Sequence, residues 1–570
     1  MNTKSVARLG LTLVQAAVVA SLAACGGSDT APIAAAPAPV VSLDITGVAA
    51  TGLAISGKTV EAKCAVGTGS ATSSGTGTYT ISIVDGVLPC VLRVTAADGS
   101  VLHSFASGTG KTATANVSPV TNLIVANLAG ADPVGFYTGF NSTTAATVTP
   151  AAITSANSAV ISTLKAGGID LSSVGDLITA VLVPATGTTA GNAYDKALDA
   201  LKATLAASGT SLSSLTLSVA TGSATQANVN AATATVSLPA SSLLLPSAKN
   251  CPAFRSGMYR VVVPQVGTGT EDITTKLKID AVALTATDVD GSVNTFTEVG
   301  PCRYTTSAGG SFVVSEAGVL IFQAKFVTTF SMGVGFPDQT FSVADLAGTW
   351  NGLGMSRATT GTNFAVDSVT ATFSATGVTS GVQYCANVKT CVAGTNTITF
   401  TANAAGGFTG VNSDPTSPTE RLFAYRSGGG EMMLVMASKE GSYKFWTRQR
   451  TNTLPTVGVV TANYSLTNSS SLISSGAPGL STNTISSVDT VLNTFFRSQV
   501  NAPNAFSQPE FLTINSPRNG YTTRRGETVT NSIGGQTVVS EFVALGMRGM
   551  GITPVAFPSN NSLSISVVRP

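Results

Sequence analysis

Tyr443-Lys444-Phe445-Trp446-Thr447-Arg448 reads as a β-strand. In period-two geometry Lys444, Trp446, Arg448 and Arg450 share one face, and Tyr443, Phe445 and Thr447 share the other. Working outward, the same period recurs on both sides. Met258–Val263, Thr274–Ile279, Gly310–Val314, Val319–Ala324 and Ser368–Ser374 are candidate strands, as are Thr397–Thr401, Arg421–Arg426 and Met432–Ala437. Thr537–Ala544 and Ser562–Val568 follow towards the C-terminus. Most alternate, which predicts one wet face and one buried face. Residues 246–570 are therefore expected to form a large antiparallel β barrel or sandwich region. Ser256-Gly257-Met258-Tyr259-Arg260 and Ala347-Gly348-Thr349-Trp350-Asn351 each open a run that later meets a Cys and a Gly-rich hairpin. That weak self-similarity divides the region into 246–340 and 341–570.

Upstream the pattern changes twice. Residues 41–115 carry short alternating runs between Gly-rich turns, such as Thr59–Cys64 and Thr78–Ile83, and predict a small β-sandwich. Residues 116–245 switch to helical spacing. Ser118-Pro119 reads as an N-cap with proline at the first helical position, and Gly130 as a stop. A second helix spans about Ala151–Ala166, with Ile153, Ala156, Val160 and Leu164 on one face before Gly167-Gly168. A third places Tyr194, Leu198, Leu201 and Leu205 on one stripe and ends near Gly209. Such stripes suit a small helical subdomain packed on itself or on a neighbouring sheet. Phe136-Tyr137-Thr138-Gly139-Phe140 reads as a loop clamped onto these helices. The expected class is thus mainly β and multidomain: a sandwich, a short helical segment and the large β region.

Two local resemblances add to this. Ala54–Val60 followed by Gly77-Thr78-Tyr79-Thr80-Ile81 is similar to the carboxypeptidase regulatory-like (CNA-B-type) β-sandwich, although Gly75-Thr76-Gly77 replaces the family's usual Asp-Gly before the Tyr. The resemblance implies a spacer or stalk without catalytic residues. Gly348-Thr349-Trp350, with Arg448 on a late strand, resembles the lipocalin signature. It implies a cation–π contact between Arg448 and Trp350, worth about 0.5–2 kcal/mol, closing a barrel that holds one apolar ligand. Trp350 and Trp446 are the only tryptophans, and core packing alone also accounts for them. Arg421, Phe423 and Tyr425, beside Met432, Met433 and Met436, form a second candidate ligand surface, for a sugar ring or a ligand mouth. Sheet packing explains that set as well.

The first residues carry an address. Lys4 and Arg8 precede an apolar run, Leu9 to Ala20, which reads as a secretory signal peptide spanning 1–24. Leu22-Ala23-Ala24-Cys25 resembles the lipobox of bacterial lipoproteins. The resemblance implies cleavage before Cys25 and palmitate-type acyl chains on that residue, each buried CH2 contributing about 0.8 kcal/mol of membrane affinity. Gly26, in place of Asp after the Cys, implies delivery to the outer membrane if the source is Gram-negative. An Ala/Pro-rich linker over 25–40 would separate lipid from fold.

The chain has seven cysteines, so six remain beside Cys25. Six allow fifteen pairings. Order along the chain favours Cys64–Cys90, Cys251–Cys302 and Cys385–Cys391 as disulfides of an exported protein, each contributing about 2–4 kcal/mol through the unfolded state. No C-x-x-C spacing occurs, so no metal site is expected.

Composition excludes several functions. Of the 570 residues only 10% are charged, and 30 basic against 28 acidic residues leave a net +2. That charge gives no field for nucleic acid. Hydrophobic residues reach 43%, enough for sizeable cores. His103 is the only histidine, so no Ser-His-Asp or Cys-His catalysis is available in the large β region. No G-x-S-x-G elbow occurs. Gly108-Thr109-Gly110-Lys111-Thr112 lacks the first Gly of a phosphate loop, and Asp288-Val289-Asp290-Gly291-Ser292 lacks the Gly and Glu of a calcium loop. Arg524-Arg525 and Arg448-Gln449-Arg450 are too short for a nucleic-acid patch. A carboxylate pair drawn from Asp288, Glu298, Glu431 and Glu440 would permit glycoside hydrolysis, but no spacing singles one out. The expectation is a non-catalytic, cofactor-free lipoprotein with a binding, adhesion or envelope-structural role. A lipocalin-like carrier and a carboxylate hydrolase are the alternatives. Its partners would be a polysaccharide, a small apolar ligand or an envelope protein.

Overall fold

The computed structural model describes residues 41–223, 236–263, 274–326, 329–357, 364–386, 388, 390–438, 442–469, 478–502, 506–530 and 536–570. The signal peptide, Cys25, the linker and Glu440 lie outside them. Residues 42–570 make one compact unit, and it is mainly β.

The first strand, Ser42–Val48, pairs antiparallel with Thr78–Val84 and parallel with Thr112–Thr114. A four-stranded sheet, in the order Thr68–Thr72, Thr59–Val66, Val87–Thr95, Val101–Ala106, accompanies it. Alternation drives both: Leu43, Ile45, Ile81 and Ile83 from one sheet share a core with Val60, Ala62, Leu92 and Val94 from the other. Cys64 and Cys90 lie opposite each other in the register and are disulfide-bonded. His103 is buried, with Nδ1 2.9 Å from Asn122 Oδ1 of the first helix.

That helix, Pro119–Ala129, starts at Ser118, whose hydroxyl accepts from the Thr121 N–H while the Thr121 hydroxyl accepts from the Ser118 N–H. It ends at Gly130 with φ 60°, the left-handed conformation that glycine tolerates best. The helices Pro150–Ala166 and Ala193–Ser208 bury the expected stripes, except that Leu205 is only partly buried. Two elements differ from expectation. Phe136 and Tyr137 sit on a short helix, Pro133–Thr138, begun by Asp132 and Pro133. They still clamp: Phe136 packs on Phe105 and Phe140, and Tyr137 on Arg93. A helix at Leu212–Ser223 has no counterpart in the sequence reading, because its Ser and Thr residues carry little helical signal.

Residues 246–570 resolve into three sheet bodies where two units were expected. Eight antiparallel strands from Gly257–Val262 to Thr329–Pro337 close into a barrel in simple chain order. A nine-stranded sheet follows, from Gly348–Arg357 to Tyr443–Arg448. It curls until its end strand Ile398–Ala402 reaches the start of Thr379–Ala386, next to the other end: Val378 bridges Thr399, and the Phe400 N–H donates to Gly377 O at 2.9 Å. A second eight-stranded barrel runs from Val460–Asn468 to Ser562–Val568. The predicted strand Thr537–Ala544 is broken in two, and Phe542–Leu545 alone belongs to this barrel.

One buried cluster joins the three bodies. It takes Ile321 and Val334 from the first barrel, Leu353 and Phe445 from the sheet, and Leu466, Val543 and Ile565 from the second barrel. This corrects the reading of the hexapeptide. All six residues of Tyr443–Arg448 are buried, because the sheet is covered on both faces. Tyr443 and Phe445 enter the shared cluster, and Trp446 enters the core inside the curl. Gly352 permits this, since a Cβ there would lie 2.6 Å from the Trp446 indole.

Candidate ligand site in the second barrel

The two barrels have equal strand number and opposite contents. In the first, the inward positions are aromatic. Phe254, on the strand Cys251–Arg255 beside the barrel, is fully buried with Tyr259, Phe296, Tyr304 and Phe312 at ring distances of 6.4, 6.1, 5.2 and 5.5 Å. Tyr304 stacks on Phe312 at 4.9 Å. The Cys251–Cys302 disulfide ties the Phe254 strand to the barrel. The interior is a packed aromatic core.

The second barrel surrounds a cavity, open to solvent, of about 750 Å³. That lies within the range of about 300–1,000 Å³ common for small-ligand sites. On one side its strands carry small polar groups inward and apolar groups outward. On Val460–Asn468, Asn463 and Ser465 line the cavity while Tyr464 and Leu466 join the shared core. On Ser562–Val568, Ser564 and Ser566 line it while Leu563, Ile565 and Val567 point out to that core. Ser481 and Asn483 continue this hydroxyl and amide wall on the neighbouring strand. Across the barrel the wall is apolar: Leu512, Ile514, Phe542 and Ala544. Phe542 meets Phe557 edge-on at 5.9 Å.

Between the walls lies a charge network. Glu510 is 2% exposed and bridges two arginines. Arg497 Nε donates to Glu510 Oε2 at 2.7 Å, and Arg497 Nη2 also pairs with that oxygen. Arg524 Nη1 donates to Glu510 Oε1, its Nε donates to Ser540 O at 2.9 Å, and its guanidinium stacks on Phe542 at 4.5 Å. Among the described residues, Arg497 Nη1 makes no hydrogen bond. Asn483 also lines the cavity and is 6% exposed; its side-chain oxygen is itself buried and has no hydrogen-bond partner among them. The turn Gly546–Gly549 brings Arg548 to the cavity as a third cation. Behind that turn Glu431 is ion-paired with Arg450 at 2.8 Å. Burial raises the Glu431 carboxyl above its ordinary range, against the pull of Arg450, Arg548 and Arg448. Glu510 is the only carboxylate among the described lining residues.

The residues singled out from sequence fall elsewhere. Trp350 and Arg448 are opposite in register, and the guanidinium lies 4.1 Å over the indole. Arg448 also donates to Asp345 O at 2.9 Å and to Ala347 O, and Trp350 Nε1 donates to Leu346 O at 2.8 Å. Burial lowers the Arg448 pKa to about 10. The cavity expected between these two is absent: their contact leaves no room, and Trp446, Phe373, Phe400 and Leu434 fill the curl. Arg421 stacks on Phe423 at 5.2 Å and donates to Gly406 O at 2.9 Å. Arg260 of the first barrel also covers Phe423, and Tyr425 packs on Phe336 while donating to Ala317 O. This aromatic–basic patch is a buried contact with the first barrel, so it offers no flat outer face. Cys385 and Cys391 form the third disulfide, against which Arg518 rests. Of the acids considered for hydrolysis, Asp288 accepts from Thr275 at 3.1 Å and Glu298 accepts from Asn250 at 3.0 Å.

None of the lumen residues was singled out from sequence as a ligand contact. Arg524 came nearest, through Arg524-Arg525. The available signal was inverted alternation, as in Ser562-Leu563-Ser564-Ile565-Ser566-Val567, where each apolar residue alternates with a small hydroxyl.

No family model matches this chain, and no curated protein does. Among solved structures, a transferrin-binding protein B double mutant from Haemophilus parasuis, a vaccine antigen, is similar over 55% of this chain and 75% of its own, at 6% identity and a TM-score of 0.19. Isotype 1 transferrin-binding protein B from serogroup B Neisseria meningitidis is similar over 53% and 67%, at 8% identity and a TM-score of 0.18. Likenesses of that size carry no inference about this chain.

Proposed function

We propose that this chain is a lipid-anchored, non-catalytic binding protein of the bacterial cell envelope, and that it holds a small polar ligand inside its second barrel. One observation carries the reading. Of two barrels with eight strands each, one is filled with rings and the other keeps a cavity of about 750 Å³ with one polar wall. Interiors pack densely by default, and empty space lined by hydrogen-bonding groups is kept where something occupies it. The anchor rests on Leu22-Ala23-Ala24-Cys25, and Gly26 favours the outer membrane. No helix of the described residues is long and apolar enough to cross a membrane.

The test is calorimetric titration of the mature protein with glucose, glucuronate and palmitate, beside Ser481→Trp, which fills the lumen. Binding of a hydroxylated probe to the wild type, lost in Ser481→Trp, supports the reading. Binding of palmitate alone, or equal behaviour of the two proteins, overturns it. Mass spectrometry of the envelope-purified protein checks the anchor separately, since an unmodified Cys25 removes it.

A further inference from the structure

We infer that the Cys385–Cys391 disulfide is a thiol-exchange site, attacked at Cys391 by a small thiol from solution. This goes beyond the lumen reading and does not depend on it.

Thiol–disulfide exchange needs one sulfur within reach of the attacking thiolate and a partner sulfur that leaves readily. The three disulfides divide on the first requirement. Cys64 and Cys90 are 5% and 0% exposed, and Cys251 and Cys302 are 0% and 1% exposed. Cys391 is exposed, while its partner Cys385 is fully buried. The strand that carries Cys391, Thr390–Ala393, lies at one end of the nine-stranded sheet, and all four of its residues are exposed. An incoming thiolate therefore meets one of the two sulfurs and not the other.

Arg518 meets the second requirement. It stands between the strands Phe506–Ile514 and Tyr521–Arg524 of the second barrel and reaches across to the sheet. Its Nη1 rests against both sulfurs, its Nη2 donates to Ser368 Oγ at 2.9 Å, and its guanidinium lies 4.8 Å over the Tyr521 ring. Tyr521 is fully buried and donates to Gly352 O at 3.0 Å and Val369 O at 3.2 Å, which fixes that platform. Among the described residues no carboxylate pairs with Arg518, and its buried Nε has no partner. A disulfide sulfur is a weak acceptor without charge. A thiolate is a counterion, and a neighbouring arginine favours it. The cradle thus suits the opened bond better than the closed one.

In the exchange a lone pair of the incoming sulfur forms a new S–S bond to Cys391. The electron pair of the old bond leaves with Cys385 as its thiolate, beside Arg518. The incoming sulfur is oxidised and Cys385 is reduced, so no other reagent is needed. Cys64–Cys90 is an internal control, since its partners also lie opposite each other on adjacent antiparallel strands but are buried.

The test treats the folded mature protein with glutathione, quenches with N-ethylmaleimide and maps the peptides by mass spectrometry. Glutathione should appear on Cys391 and maleimide on Cys385, with the other two disulfides intact. Arg518→Gln should slow the reaction at least about threefold, and Arg518→Lys should recover part of the rate. In a Cys391→Ser background, Arg518→Gln should also raise the pKa of the Cys385 thiol, read from the pH dependence of its alkylation, which a merely structural arginine would not move. Hydrogen exchange of the sheet verifies that each variant is folded. No adduct, glutathione on Cys385, equal opening of all three disulfides, or an unchanged rate in Arg518→Gln overturns the inference.

Discussion

Matched phenylalanine truncations in the two barrels probe the contrast on which the site depends. Phe254 is fully buried and touched by four rings at 5.2–6.4 Å. Phe→Ala in a packed core costs about 3–5 kcal/mol, because the lost transfer energy adds to the cavity left behind. Four ring contacts of about 0.5–1.5 kcal/mol each, overlapping rather than additive, place Phe254→Ala near the top of that range. Phe495 lines the existing cavity and is only partly buried. Its removal enlarges a space already present, so only part of the burial term of about 1.5–3 kcal/mol is lost, and about 1 kcal/mol is expected. A single unfolding free energy is ill-defined for a chain of several bodies. Tryptophan fluorescence is blind here, since Trp350 and Trp446 both lie in the nine-stranded sheet. Native-state hydrogen exchange resolves each barrel by itself. Under oxidising conditions, Phe254→Ala should accelerate exchange in the most protected first-barrel strands by about three orders of magnitude, from about 1.4 kcal/mol per decade. Phe495→Ala should accelerate second-barrel exchange by about one. Equal effects, or less than one decade for Phe254→Ala, would refute the assignment of one barrel as filled and the other as hollow.

Two further outcomes are expected. Glu510→Gln removes the shared partner of Arg497 and Arg524, leaving two cations beside each other; loss of one member of a buried ion pair costs about 3–5 kcal/mol, and the lower end applies because Ser540 O still receives Arg524. Second-barrel exchange should rise by about two decades, and Glu510→Gln with Arg497→Gln should cost less than the sum of the singles; strict additivity would dissolve the network. The second concerns His103, the only histidine, whose pKa burial lowers despite the hydrogen bond to Asn122. Below about pH 6.5 the unfolded chain takes up a proton that the native state refuses, so native stability falls as pH drops from there towards the folded pKa, and levels off below it. Thermal unfolding from about pH 7.5 to 5 should therefore slope more steeply in the wild type than in His103→Gln, and identical slopes would remove His103 as the cause.

How much was legible varied with what the residues were doing. The helix Pro119–Ala129 was readable to within a residue because capping is local chemistry: Ser118 and Pro119 begin it, and Gly130 ends it. The end of Ala193–Ser208 was readable in the same way, from Gly209. The local disulfide pairing was readable from chain order, and in two of the three the partners face each other on adjacent antiparallel strands. Four of the eight strands of the first barrel and five of the nine of the sheet were visible, those whose apolar residues alternate into cores. What failed was burial from outside the element. Arg421, Phe423 and Tyr425 could be read either as a ligand surface or as sheet packing, because nothing local announces that Arg260 and Phe336 will cover them. The same ignorance turned a two-sided buried strand, Tyr443–Arg448, into a one-sided one.

The second barrel was the least legible part, and the reason is the property that makes it interesting. Strands at Gly479–Asp489 and Thr494–Ala502 went unread because Ser481, Asn483, Arg497 and Gln499 occupy positions where a filled barrel would carry apolar side chains. A barrel that leaves half of its interior polar must find much of its apolar burial elsewhere. Here it lies on the outer surface, where Leu466, Val543, Leu545, Leu563, Ile565 and Val567 pack into the cluster shared with the sheet and the first barrel. Stability thus comes from docking rather than from filling. The lumen is relieved of the structural duty that the aromatic lumen of the first barrel performs, and its residues are free to be chosen for what they bind. The filled barrel and the curled sheet are, on this argument, the support that lets the third body remain hollow.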